Sequence, residues 1–207
     1  SLPQNWRHHS MRAQSRLNAR IRLDMRNRSD RMYIMNGMKY EQRVVGIGAA
    51  IGVISMIIGV WVLAQIVPAS RIMDTTANRL AYTLAANVLA ILPFFVMMVT
   101  VGNKRFLSDA IDPTRHAEDA LMEIDGRVTD NTLQQTFVFF VASLAAATGL
   151  PFTHLHLVGA AAIWFVIARS AFWIGYRINP LYRAPGMSGT AYLNLAIICY
   201  VLYRLSV

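Results

Sequence analysis

Two sets of polar residues in this chain have the types and spacing to hold an anion inside an otherwise apolar protein. On a helix expected from about Ala120 to Leu150, Glu123, Arg127, Asp130, Asn131 and Gln134 recur at i, i+3, i+4 and i+7, the spacing of one helical face. Further on, Arg169, Phe172, Trp173 and Tyr176 share a second face, with Arg169 about 10 Å from the end of its apolar run at 1.5 Å per residue. Polar groups in such runs are costly to bury, so their arrangement is the best functional signal in the chain. A buried guanidinium needs an acceptor, and the sequence offers Asp130 or a bound anion. His154 and His156 would bind a metal only with further ligands, which the neighbouring residues do not supply, so they read as turn histidines and no metal site is expected. A Walker loop, an HExxH pair and a dinucleotide fingerprint are all missing from the sequence.

The elements that must position these residues are membrane spans. Residues 44–67 form an uncharged run ended by Pro68, long enough to cross a hydrocarbon core of about 30 Å. Further spans are expected at about 80–101, 132–150, 157–176 and 190–205. Pro93 is expected to kink the second, where Asn87 is the strongly polar residue. Gly48 and Gly52 form a small-xxx-small pair that fits close helix contact and, nearly as well, a lipid-facing position with no partner. Residues 102–126 read as a charged connector and 177–189 as a loop, while the short turn at His154 makes the spans beside it antiparallel neighbours. Trp61, Trp164 and Trp173 read as packing or interface residues, and Cys199 as a small buried hydrophobe.

Composition agrees. Of 207 residues 55% are hydrophobic and 15% charged, with a net charge of +9; the mean hydropathy is +0.38. That leaves too little polar surface for a soluble domain. Residues 1–43 hold ten of the twenty Lys and Arg, and no acid follows Asp130. In this arm Leu17, Ile21 and Met25 recur among arginines at 12, 16, 20, 22, 26, 28 and 31, which fits a basic amphipathic helix on an anionic membrane face as well as a solvated tail. A nucleic-acid arm would carry similar charge, but the tether to a span argues for no nucleic-acid partner. The arm stands either as a retained element or as part of a targeting segment, with Asp24, Asp30 and Glu41 arguing against a presequence. Basic residues near the span ends put the arm, the 102–127 connector and the 177–189 loop on the cytosolic side.

The stretch Arg127-Val-Thr-Asp-Asn131-Thr-Leu-Gln134-Gln135 resembles the Arg-x-x-x-Asn-x-x-Glu signature that opens a transmembrane helix in the MAPEG superfamily of eicosanoid and glutathione-metabolising membrane proteins. Arg169 followed by Tyr176, then Tyr182-Arg183-Ala-Pro-Gly186, resembles a second landmark of that superfamily. The likeness covers about residues 80–207, and the five-span layout is most similar to the mattrin-like branch. It implies an all-α integral membrane protein: a MAPEG-like four-helix transmembrane bundle (80–207) plus one extra N-terminal transmembrane helix (44–67) behind the basic cytosolic arm (1–43). It also implies a homotrimer with the Arg127-bearing helices nearest the axis, and glutathione as the ligand of Arg127, Asn131, Gln134, Arg169, Tyr176, Arg183 and Ser188.

The departures from that pattern bear on activity. Asp130 stands where one branch has Arg, Gln134 where the family has Glu, Phe172 where a His precedes the Tyr, and Met187 where the enzymes place the Arg that stabilises a glutathione thiolate. A thiolate needs a neighbouring cation or strong donor, and methionine is neither. The expectation is therefore a protein without catalytic residues or an obligate cofactor, acting by binding, in regulation or within a larger membrane complex. The alternative is a glutathione-dependent transferase or peroxidase for lipophilic substrates. Membrane lipids and an anionic partner of the arm are the other expected partners, with an endomembrane location first and a mitochondrial membrane second.

Overall fold

The structure is a computed structural model that describes residues 39–68, 75–112, 114 and 117–206. The amphipathic helix expected in the arm lies outside the described residues. The chain divides between Val44 and Val45, and the unit from Val45 onward carries the fold described below.

Five long helices make up the described chain: α1 (Lys39–Ile66), α2 (Thr76–Phe106), α3 (Ala120–Gly149), α4 (His156–Ile178) and α5 (Ala184–Ser206). Local chemistry sets their starts. Thr75 caps α2 by accepting from the Asn78 amide at 3.2 Å, and Asp119 caps α3 by accepting from the Met122 amide at 2.6 Å. Asn179 ends α4 and accepts from the Leu181 amide, opening the 3-10 turn Pro180–Arg183 that leads into α5. Four helical segments are long and apolar enough to cross a membrane: those of α1, α2, α4 and α5. Helix α3 is comparably long, about 45 Å at 1.5 Å per residue. Its charged opening turns, with Gln134 and Gln135 at mid-length, make it the polar member, and it meets α2, α4 and α5.

Helices α2, α3, α5 and α4 form a ring in that order, which closes the four-helix bundle. Its centre is filled by Ala90, Phe139, Ala161, Ala162, Phe165 and Leu193, joined by Met56 from α1. Pro93 is buried within α2, which runs on past it. Three expectations need correction. The 177–189 stretch is no loop, because α4 runs to Ile178 and α5 starts at Ala184, six residues before the expected span. The charged connector is shorter than read, since α2 extends through Lys104 and Arg105, while α3 begins at Ala120 as expected. Cys199 is exposed, on the outer face of α5, since Asn194 and Leu193 take the inward phase.

The small-residue pair on α1 makes a close helix contact. A Cβ on Gly52 would lie 2.0 Å from Ser188 Oγ and 2.2 Å from the Pro185 carbonyl oxygen, and one on Gly48 would lie 3.0 Å from the Ala184 Cβ. The two glycines thus seat the first turn of α5 against α1. Ser188 Oγ completes the seat by donating to the Ala49 carbonyl at 3.0 Å. About two turns further along α1 Trp164 packs on Gly59 and donates to the Gly189 carbonyl at 3.1 Å. Gly52→Ala is expected to lower stability by about 1–3 kcal/mol through overpacking, whereas Gly46→Ala, whose Cβ meets nothing within 4 Å, should be neutral or better. Thermal unfolding of both variants in mild detergent checks this; equal effects would remove the α1–α5 seat.

Candidate functional site

One end of the bundle gathers charge, since α2 and α4 finish there and α3 and α5 begin there. Its centre is Asp125, on α3, with only 1% of its side chain exposed. Arg177 clamps it with two bonds, Nε to Oδ1 and Nη2 to Oδ2, each 2.7 Å. Lys104 Nζ reaches Oδ2 at 2.8 Å from α2, and Trp173 Nε1 donates to Oδ1 at 2.8 Å from α4. The Arg177 guanidinium also lies 4.5 Å from the Trp173 ring centroid. Burial alone would raise the carboxyl pKa, but the bonds from Arg177, Lys104 and Trp173 and the Arg177 charge together outweigh it and hold it down to about 2. Nearby, Arg105 on α2 pairs with Glu118 just before α3.

A second polar centre lies deeper. Arg169 is fully buried on α4. Its Nη1 donates to Asn131 Oδ1 at 2.8 Å, its Nη2 to the Thr190 hydroxyl and to the Gly186 carbonyl at 3.4 Å, and its guanidinium carbon lies 4.3 Å from the Phe172 ring centroid. Its Nε has no partner. Every acceptor around this charge is therefore neutral. Gly186 permits the approach, since a Cβ there would lie 2.3 Å from the Phe172 amide nitrogen. One helical turn along, Asn194 Nδ2 donates to the Gln135 side-chain and backbone oxygens at 2.9 and 3.0 Å.

The expected site residues do not form one cluster. Arg169 and Asn131 meet. Tyr176 and Arg183 meet as a pair, the guanidinium 5.1 Å from the ring centroid, while Phe172 packs edge-on to the same ring at 5.8 Å. Arg127 stands on the surface, paired with Glu123 at 2.5 Å with both side chains more than half exposed, and it also interacts with the Tyr176 hydroxyl. Gln134 is exposed, and Ser188 is committed to α1.

Two expectations fail here. Asp130 is exposed and does not pair with Arg169, whose acceptor is Asn131. Of Arg127, Asn131 and Gln134, expected together inside the bundle, only Asn131 turns inward. The reason is phase: the buried stripe of α3 runs Asp125, Val128, Thr132, Thr136, Phe139 and Ser143, and at 100° per residue Arg127 and Gln134 fall outside it. Sequence reasoning missed Asp125 as a site residue, together with Lys104, Arg177 and Thr190, and placed Trp173 on the right face without its partner. The available signal was an acid in register with the apolar positions of the helix that follows it.

Comparison with known proteins gives one match, a model of the MAPEG family over residues 80–203. No curated protein and no solved structure matches the chain. The matched stretch takes in α2 to α5 nearly entire and leaves α1 outside it.

Two predictions follow from the two centres. Because the folded pKa of Asp125 is depressed from the ordinary 3.8 to about 2, its stabilisation is complete above pH 4 and fades as pH falls through the interval toward 2, by about 2 kcal/mol. Asp125→Asn should remove that pH dependence and lower stability at neutral pH by about 2–3 kcal/mol, below the usual cost of breaking a buried pair because Lys104 and Arg177 are about a third exposed. Acid titration of thermal unfolding in detergent checks both, and an unchanged acid limb would contradict the clamp. For the deeper centre, Asn131→Ala should lower stability by about 1–3 kcal/mol by orphaning the guanidinium, and Asp130→Ala should stay within about 0.5 kcal/mol. A reversed order would make Asp130 the partner.

Proposed function

Because this chain belongs to the MAPEG family, we propose that it is a non-catalytic membrane protein of that fold that acts by binding an anionic ligand, as a homotrimer, at the end of the bundle that carries Asp125. In this reading that end faces the cytosol and the five-helix layout is that of the mattrin-like branch.

The observation that carries the non-catalytic reading is where the thiolate-stabilising groups go. Ionising a thiol of pKa near 8.5 at neutral pH takes a shift of a unit or more, about 1.4 kcal/mol per unit, from a cation or strong donor at the sulfur. Met187, at the place where the resemblance puts that cation, has neither. Ser188 gives its hydroxyl to the Ala49 and Pro185 carbonyls. Arg183 lies on the Tyr176 ring. The residues at this end thus fit the carboxylates of a glutathione-like tripeptide, through Arg127 and Arg183, but not the activation of its thiol.

Binding itself is supported by Arg169, a fully buried charge with neutral acceptors and one N–H unused. A buried cation in that state favours an anion nearby over none. One observation favours the runner-up, a glutathione-dependent transferase or peroxidase: Arg127 and Arg183 both approach Tyr176, leaving two cations beside a phenol.

Conjugation of a general electrophile by purified protein separates the two. Wild type is expected to match the spontaneous rate, and the Met187→Arg, Asp130→Arg double variant to exceed it if the pocket was kept and only the cation lost. Wild-type turnover clearly above the spontaneous rate would promote the transferase.

A further inference from the structure

Outside the two polar centres, the connector between α2 and α3 carries a feature that neither centre explains. Lys104 and Arg105 stand in the last turn of α2, Phe106 and Leu107 follow, and Ser108 caps the 3-10 segment Asp109–Ile111. Ser108 therefore has an arginine three residues before it, a lysine four before it and a large apolar residue directly before it. In the arm, Ser10, Ser15 and Ser29 also follow an arginine by three residues, but arginine is dense enough there to produce that spacing by itself. Among the serines after residue 43, Ser108 is the one with a basic residue at that spacing.

The geometry leaves this serine open to a modifying enzyme. Ser108 is exposed and lightly held: its hydroxyl accepts from the Ala110 amide at 3.3 Å and donates to the Arg105 carbonyl at 3.4 Å. Phe106 and Leu107 are 73% and 81% exposed, so opening the turn around Ser108 gives up little apolar packing. Arg105, by contrast, is engaged. Its Nη2 pairs with Glu118, on the far side of the connector, while its buried Nε has no partner. A serine kinase that selects substrates by charge reads such a guanidinium with its own carboxylates, and here Glu118 competes for the same group.

We propose that Ser108 is a phosphorylation site for a basophilic serine kinase, with Arg105 as the recognition residue that Glu118 holds in reserve. The site rests on the reading that this end faces the cytosol, where ATP is the phosphoryl donor. The bond from Ser108 Oγ to the γ-phosphorus forms as the bond from that phosphorus to the bridging oxygen breaks; ADP leaves, and the hydroxyl proton passes to the kinase's catalytic aspartate. The product carries about −1.5 to −2 charge three residues from Arg105. It takes the guanidinium from Glu118 and repels that carboxylate, which loosens the tie between the end of α2 and the start of α3.

The test uses the full chain in lipid nanodiscs, where both ends are open to solution whatever the native orientation. Mg-ATP and the catalytic subunit of cAMP-dependent kinase, a basophilic probe, are added, and phosphopeptides are mapped by mass spectrometry. Phosphate is expected on Ser108 and on none of that peptide in Ser108→Ala. Arg105→Gln should slow labelling of Ser108 about tenfold and Glu118→Gln should speed it several-fold, both leaving the arm serines unchanged as internal controls. Amide hydrogen exchange at residues 117–122 should rise once Ser108 is phosphorylated. Labelled arm serines beside a bare Ser108, a rate indifferent to Arg105→Gln, or exchange unchanged by the phosphate would each overturn the proposal. Sealed vesicles with the cytosolic face outward test the orientation separately: Ser108 labelled in nanodiscs but not there would refute the cytosolic placement and, with it, the site.

Discussion

Three helices of this bundle meet on one carboxylate. Asp125 takes two bonds from Arg177, one from Lys104 and one from Trp173, which ties α3 to both α2 and α4 at a single point. In a membrane the association of helices draws little on the hydrophobic effect, because lipid is as apolar as the helix surfaces. Close packing and polar contacts must supply what water would otherwise provide. A carboxylate 1% exposed is stable only if nearly all of its acceptor positions are filled, and here they are. The clamp therefore fixes the relative heights of α2, α3 and α4, and through that the level at which Arg169 meets Asn131 and Thr190.

The second level of order comes from small residues. Gly52 and Gly186 let backbones approach where any side chain would collide, one between α1 and α5 and the other between α5 and α4. This places α5 early: its first turn is already packed at Ala184, so the Pro185–Ser188 stretch is helix. Ser188 is drawn into the α1 seat as a result. That explains how a serine in a family landmark can be retained while its hydroxyl serves helix packing.

How much of this was legible follows from what each signal depends on. Four of the five expected spans could be read directly, because uncharged length is a local property, whereas the 132–150 segment belongs to the polar helix α3. The structure had to choose a seat over a lipid-facing role for Gly48 and Gly52. The meeting of Arg169 with α3 was half legible. A buried guanidinium demanded an acceptor, but choosing Asn131 over Asp130 required the phase of α3, and one residue is 100° of rotation. Asp125 was hidden among like residues of a charged stretch; the helix from about Ala120 was expected, but its buried face was assigned to Glu123 and Arg127 instead of to the stripe of Asp125, Val128 and Thr132. Gln134 failed for the same reason in reverse. The early start of α5 was masked by Pro185 and Gly186, which read as breakers although proline is well tolerated in a first turn.

The central functional claim is that the family's fold and its anion-binding charge persist without the means to ionise a thiol. Met187 carries no charge, Ser188 is bonded to α1, and Arg183 rests on Tyr176. The most direct measurement is the ultraviolet thiolate absorbance of glutathione added to the purified protein at neutral pH, read as a difference spectrum against free glutathione. The account predicts no excess thiolate at any glutathione concentration. A thiolate signal that saturates at one equivalent per site would contradict it.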